Sequence, residues 1–149
     1  MGAVYFYHLT RRPLEATLPM LLEKAVGAGW RCVVRGTDRT ALSRLDEALW
    51  TFGKDSFLPH ALDGGPHDAE QPILLTDQSQ MAQCVMSVHG AAVSADDINA
   101  SERTCILFDG NDPDALQHAR GQWKSLTGAG VSAQYWSEES GRWEKKAET

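Results

Sequence analysis

Thr104-Cys105-Ile106-Leu107-Phe108 is an apolar run of strand length, and Asp112-Pro113-Asp114 follows it after three residues. The second group reads as a helix start: Asp112 as N-cap, proline at the first helical position, and acid in the first turn. Leu116, Ala119, Trp123 and Leu126 then fall on one helical face until Gly128-Ala129-Gly130 ends the pattern. Val131, Ala133 and Tyr135 alternate, as a strand does. Strand, helix and strand in succession imply a crossover unit, and hence a parallel sheet.

The same alternation extends toward the N-terminus. Val4-Tyr5-Phe6-Tyr7-His8-Leu9 is β-rich, and Leu14, Leu18, Leu21, Leu22 and Ala25 recur at helical spacing before Gly27 and Gly29. Pro19 leaves two readings open, a kink in that helix or its true start with Thr17 as cap. Arg31-Cys32-Val33-Val34-Arg35 is a second strand, and Asp38 opens a helix with Leu42, Leu45, Leu49 and Phe52 on one stripe. Residues 53–72 are broken by Pro59, Gly64, Gly65, Pro66 and Pro72, and are expected to be irregular. Ile73-Leu74-Leu75 and Cys84-Val85-Met86-Ser87-Val88 are further strands, with a short helix expected over residues 96–102. At the other end, a turn over residues 137–141 and Arg142-Trp143-Glu144-Lys145-Lys146 suggest a terminal hairpin. The expected fold is therefore α/β: a mostly parallel sheet with helices on both faces and a C-terminal strand hairpin, in one domain over residues 1–149.

A chain of 149 residues buries roughly 68–70% of its unfolded surface, enough to fold without disulfides or metal. Cys32, Cys84 and Cys105 are odd in number and set in apolar stretches, so they read as reduced core thiols of a cytoplasmic protein rather than a zinc site. No long apolar run or signal peptide is visible at the start, which disfavours secretion and membrane spanning. The net charge is −6. Residues 1–50 carry seven basic against five acidic side chains, residues 51–100 one against seven, and residues 101–149 six against eight. Local positive patches at the two ends suit a small acidic segment better than a long polyanion, so direct DNA binding is disfavoured.

Motifs for chemistry are missing. The sequence has no G-x-G-x-x-G after a strand, no G-x-x-x-x-G-K-[ST] and no G-x-S-x-G. That argues against a nucleotide-dependent or nucleophilic enzyme, whatever the fold class suggests. His60, Asp63, His67 and Asp68 sit in the irregular loop, but their spacing matches no tight metal-ligand pair, and neither a metal nor a cofactor is expected. His8 and His89 read as core or strand-edge residues rather than bases. Asp46 and Glu47 diverge by about 100° on a helix and do not form a facing acid/base pair.

The string Leu45-Asp46-Glu47-Ala48-Leu49-Trp50-Thr51-Phe52, with Ser56-Phe57-Leu58-Pro59-His60 after it, resembles the signature of the chi subunit of bacterial DNA polymerase III. The resemblance extends to Phe6-Tyr7-His8-Leu9, Leu21-Leu22-Glu23-Lys24, Gln71-Pro72-Ile73-Leu74-Leu75, Tyr135-Trp136 and the Gly141-Arg142-Trp143-Glu144-Lys145-Lys146 ending. It covers nearly the whole chain, with residues 77–103 alike only in general pattern.

The resemblance implies a Rossmann-like accessory subunit of the clamp loader, without enzymatic activity. One surface would bind the acidic, Phe-ended C-terminal tail of single-stranded-DNA-binding protein, and another the psi subunit or a substitute. A helicase-associated repair adaptor using the same tail site is the alternative. A tail ending in a carboxylate beside an apolar ring needs an apolar pocket with a cationic rim. Arg120 and Lys124, four apart beside Trp123, match the family's tail-binding positions, with Phe108 and Gly130 in matching segments. One turn earlier, where well-known members carry lysine, this chain has Leu116, which weakens the electrostatic part. For the partner subunit, Trp50, Phe52 and Phe57 supply an aromatic surface with Leu49 beside them, a crowding that core packing explains equally well.

Overall fold

The computed structural model describes residues 2–51, 59–66, 68–78, 80, 82–140 and 142–148. Eight strands form one sheet: β1 (Ala3–Leu9), β2 (Cys32–Arg35), β3 (Ala61–Leu62), β4 (Ile73–Thr76), β5 (Cys84–Ser87), β6 (Arg103–Asp109), β7 (Ser132–Ser137) and β8 (Glu144–Glu148). Its helices are α1 (Leu14–Gly27), α2 (Arg39–Thr51), α3 (Ala95–Ala100) and α4 (Pro113–Gly128). The strand order is β3-β4-β2-β5-β6-β1-β7-β8, parallel throughout except for the antiparallel β7–β8 pair. The expected α/β class and the terminal hairpin are both present.

Pro19 lies inside α1, which starts after Pro13 and runs unbroken past it. Thr17 is thus a buried helix residue and not a cap. Proline in a helix interior costs about 3 kcal/mol and removes one backbone bond; here Pro19 is buried, next to the core residue Leu18. At α4 the local reading is met in detail, since the Asp112 carboxylate accepts from the amides of Asp114 and Ala115. The short strand β3 was not expected within residues 53–72, and two residues are too few to make a periodic signal.

The two faces of the sheet carry separate cores, as strand alternation requires. Leu18, Leu22, Leu42, Leu45 and Leu49 of α1 and α2 pack on Leu9, Val34, Leu75 and Leu107 of one face. Ile98 of α3 and Ala119 and Leu126 of α4 pack on Val4, Phe6, Ile106 and Phe108 of the other. β2, β4 and β5 are buried on both faces, the usual state of central parallel strands. Cys32 and Cys84 oppose each other across β2 and β5, and all three cysteines are free and buried. Cys84 beside them, together with burial, pushes the Cys32 and Cys105 thiols up, which keeps both protonated as core side chains. Among the described residues, no helix is long and apolar enough to cross a membrane.

Candidate protein-interaction sites

β1 lies between β6 and β7, and this places its even-numbered side chains under α4 between matching residues of both neighbours. Phe6 opposes Tyr135 on β7, and His8 opposes Phe108 on β6. Trp123 descends from α4 onto this layer, with its ring 5.3 Å from Phe6 at 66° and 6.0 Å from Tyr135 at 81°. Phe108 stacks on His8 at 5.2 Å and lies 6.1 Å from Tyr135. Edge-to-face and offset contacts of this kind are the favoured ring geometries, and they hold the group together as one aromatic layer.

Polar groups border the layer. The Tyr135 hydroxyl lies 3.0 Å from His8 Nδ1, which is 3.9 Å from the Glu139 carboxylate. Burial raises the Tyr135 phenol, helped by Glu139 and opposed by Arg120, so the Arg120 guanidinium lies within electrostatic reach of the ring. Arg120 and Lys124 are both exposed, one turn apart on α4. Trp123, half-buried between the exposed Arg120 and Lys124 in sequence, thus joins through Phe6 and Tyr135 an aromatic layer in which Phe108 is buried. Leu116 is partly buried against the same apolar cluster, so it enlarges the apolar floor where a lysine would have added charge. Gly130 stands apart, some ten helical positions beyond Arg120, or roughly 15 Å along the axis. At φ +86°, it makes the left-handed turn that leads into β7, a conformation costly for residues with a Cβ.

Phe6, His8 and Tyr135 belong to this site and were not among the residues singled out for it. Tyr135 had a signal, its alternation with Ala133 and Val131, but its pairing with Phe6 spans most of the chain. Gly110 adds a steric reason for its own identity, because a Cβ there would lie 1.7 Å from His8 Cδ2.

At the C-terminal part of α2, Trp50 is 53% exposed, and its ring lies 4.1 Å from that of His60. His60 is buried, with Nε2 3.0 Å from the Asp46 carbonyl and 3.3 Å from the Asp46 carboxylate. Leu49, expected beside Trp50 on a partner surface, is instead 3% exposed and packed in the core. One residue of helical rotation, about 100°, separates the two fates. Phe52 and Phe57 lie outside the described residues, as does His67. Asp63 and Asp68 of the same loop are engaged locally. Burial raises the Asp63 carboxyl, but the Thr76 hydroxyl and the Arg39 guanidinium outweigh it, leaving the group below the usual carboxylate range. Asp68 accepts from the amides of Gly64 and Gly65.

A cleft of about 870 Å³ opens at the carboxyl ends of β1 and β6, lined by Arg11, Arg12, Phe108, Asn111, Asp112 and His118 among others. The chain leaves β1 for α1 on one face and β6 for α4 on the other, so the cleft lies at the switch point where doubly wound domains place a ligand.

The chain matches the family model described as DNA polymerase III chi subunit, HolC, over residues 1–134. It is 31% identical over 74 residues to the probable DNA polymerase III subunit chi of Rickettsia prowazekii, covering 50% of this chain and 45% of that protein. It is 35% identical over 78 residues to the DNA polymerase III subunit chi of Pseudomonas aeruginosa, covering 50% of this chain and 54% of that protein. The matched segment thus spans about half the length of these curated relatives. With the family model extending from the first residue into β7, the chain belongs to the DNA polymerase III chi subunit family.

Proposed function

We propose that this chain is a non-catalytic, cytoplasmic adaptor of the replication machinery. In this reading it links the DNA polymerase III clamp loader to single-stranded-DNA-binding protein by holding that protein's acidic C-terminal tail. The observation that carries the reading is the half-buried pair Trp123 and Tyr135, seated on the buried Phe6 and Phe108, with Arg120 and Lys124 exposed near Trp123 on α4. An apolar ring at the end of a peptide gains by covering the half-buried Trp123 and Tyr135, and its free carboxylate gains from a guanidinium at the rim. A second protein, psi or a substitute, docks on the α2 end, where Trp50 is a large exposed apolar residue.

Titration with a synthetic acidic peptide, with and without its terminal Phe, tests the first surface. Arg120→Ala should weaken binding by about 1.5–3 kcal/mol, the range for a hydrogen bond to a charged group. Arg120 is exposed, so the variant should remain folded. Unchanged affinity in a folded variant would place the tail elsewhere.

A further inference from the structure

The turn between β1 and α1 holds a second device, independent of the aromatic layer. The backbone amides of Thr10, Arg11 and Arg12 all donate to one oxygen, Oε1 of Glu138, at 3.3, 3.0 and 2.8 Å. Glu138 follows β7 and is 2% exposed. Arg11 fastens the same turn from outside, donating through Nε and Nη2 to the Glu139 carbonyl at 3.2 and 2.9 Å.

Three successive amides converging on one anionic oxygen make an anion-binding nest. This one precedes α1, whose N-cap, Pro13, offers no side-chain bond, so the positive end of the helix adds to the attraction. It also lies at the carboxyl end of β1, beside the switch-point cleft, where a nucleotide phosphate enters related folds. The other helix start at this cleft is filled in the same manner, with Asp112 on the first amides of α4. Both positions suited to a phosphate therefore hold a carboxylate of the chain itself.

We infer that Glu138 is a built-in occupant of an oxyanion site, and that docking of the β7–β8 turn keeps that site closed to phosphate-class ligands. The nest is saturated by a buried carboxylate, and Glu15, Asp109, Asp112 and Asp114 around the cleft repel a second anion. Removing the carboxylate leaves three inward amides flanked by Arg11 and Arg12, which is a receptor for a tetrahedral oxyanion. The hairpin and an external anion thus compete for one set of donors.

The test compares wild type, Glu138→Ala and Glu138→Gln in inorganic phosphate, against chloride at matched ionic strength, by thermal unfolding and amide NMR. The wild type should show no saturable response. Glu138→Ala should have a lowered Tm that phosphate restores saturably, with amide shifts confined to Thr10, Arg11 and Arg12. Glu138→Gln keeps an oxygen acceptor without the charge and should respond between the two. A folded Glu138→Ala with no saturable phosphate response would overturn the inference, as would a wild type that responds as strongly as the variants. If Glu138→Ala fails to fold, an unresponsive Glu138→Gln overturns it equally.

Discussion

Trp50→Ala separates a docking surface from a piece of the core. Trp50 is 53% exposed, and its ring lies against that of the buried His60. A fully buried Trp removes at most about 250 Å² from water, so roughly half that area is at stake here. At about 25 cal/mol per Å² this amounts to at most ~3 kcal/mol, an upper bound because unfolded chains already bury part of such surface. Alanine regains about 0.5 kcal/mol through its helix propensity. The expected loss is therefore about 1–2 kcal/mol, which for a chain of this size lowers Tm by roughly 3–8 °C. Urea unfolding and thermal melts measure it directly, and peptide titration in parallel should show the tail affinity nearly unchanged, because distant sites act independently. Capture of the second partner should be lost. A stability loss of about 3–5 kcal/mol, the cost of truncating a buried Trp, would refute the reasoning and return Trp50 to the core.

Tail-peptide binding should weaken partially with rising salt, because the apolar layer is insensitive to screening while Arg120 and Lys124 are not; complete insensitivity in a salt titration would discount both cations. Gly110→Ala should destabilise the fold by about 1–3 kcal/mol in denaturant unfolding, since a new methyl would push His8 out from between Phe108 and Tyr135. Arg35→Ala should cost about 1–3 kcal/mol, because the buried guanidinium donates to the Ala92 carbonyl and the Asp97 carboxylate, and its loss removes that donor from the carbonyl while the partly exposed carboxylate keeps its bond from Ser94. Burial raises the Asp97 carboxyl, but bonds from Ser94 and Arg35 outweigh it and hold the group below its ordinary value of 3.8. Its stabilisation is therefore complete above about pH 4 and lost as pH falls through the lowered value, a loss that acid titration should find abolished in Asp97→Asn.

Local pattern was enough for the elements that carry strong chemistry of their own. Asp112-Pro113-Asp114 specifies a helix start without help from the rest of the chain, because the cap, the fixed proline φ and the first-turn charge act within four residues. Leu18 and Leu22, and likewise Leu42, Leu45 and Leu49, show which side of each helix meets the sheet. The two-residue strand β3 escapes, since alternation needs more positions than it has. Pro19 is ambiguous in the sequence because propensity disfavours it inside a helix, whereas its burial within α1 depends on tertiary packing. Helical spacing puts Arg120, Trp123 and Lys124 on neighbouring positions of one helix, but by itself it reads as a core Trp between solvated charges; only the family resemblance singled them out as a binding group. The full composition of the candidate site around Trp123 is not legible there. Periodicity states which residues face inward but not which strand lies next to which, and it is the position of β1 between β6 and β7 that brings Phe6 and Tyr135 against Trp123, and His8 against Phe108 and Tyr135. The same holds for Glu138, whose role as occupant of the β1–α1 nest depends on amides 126 to 128 residues earlier in the chain. Hydrogen bonds and ring contacts between distant segments exist only once chain topology has closed the distance, so tertiary structure decided them.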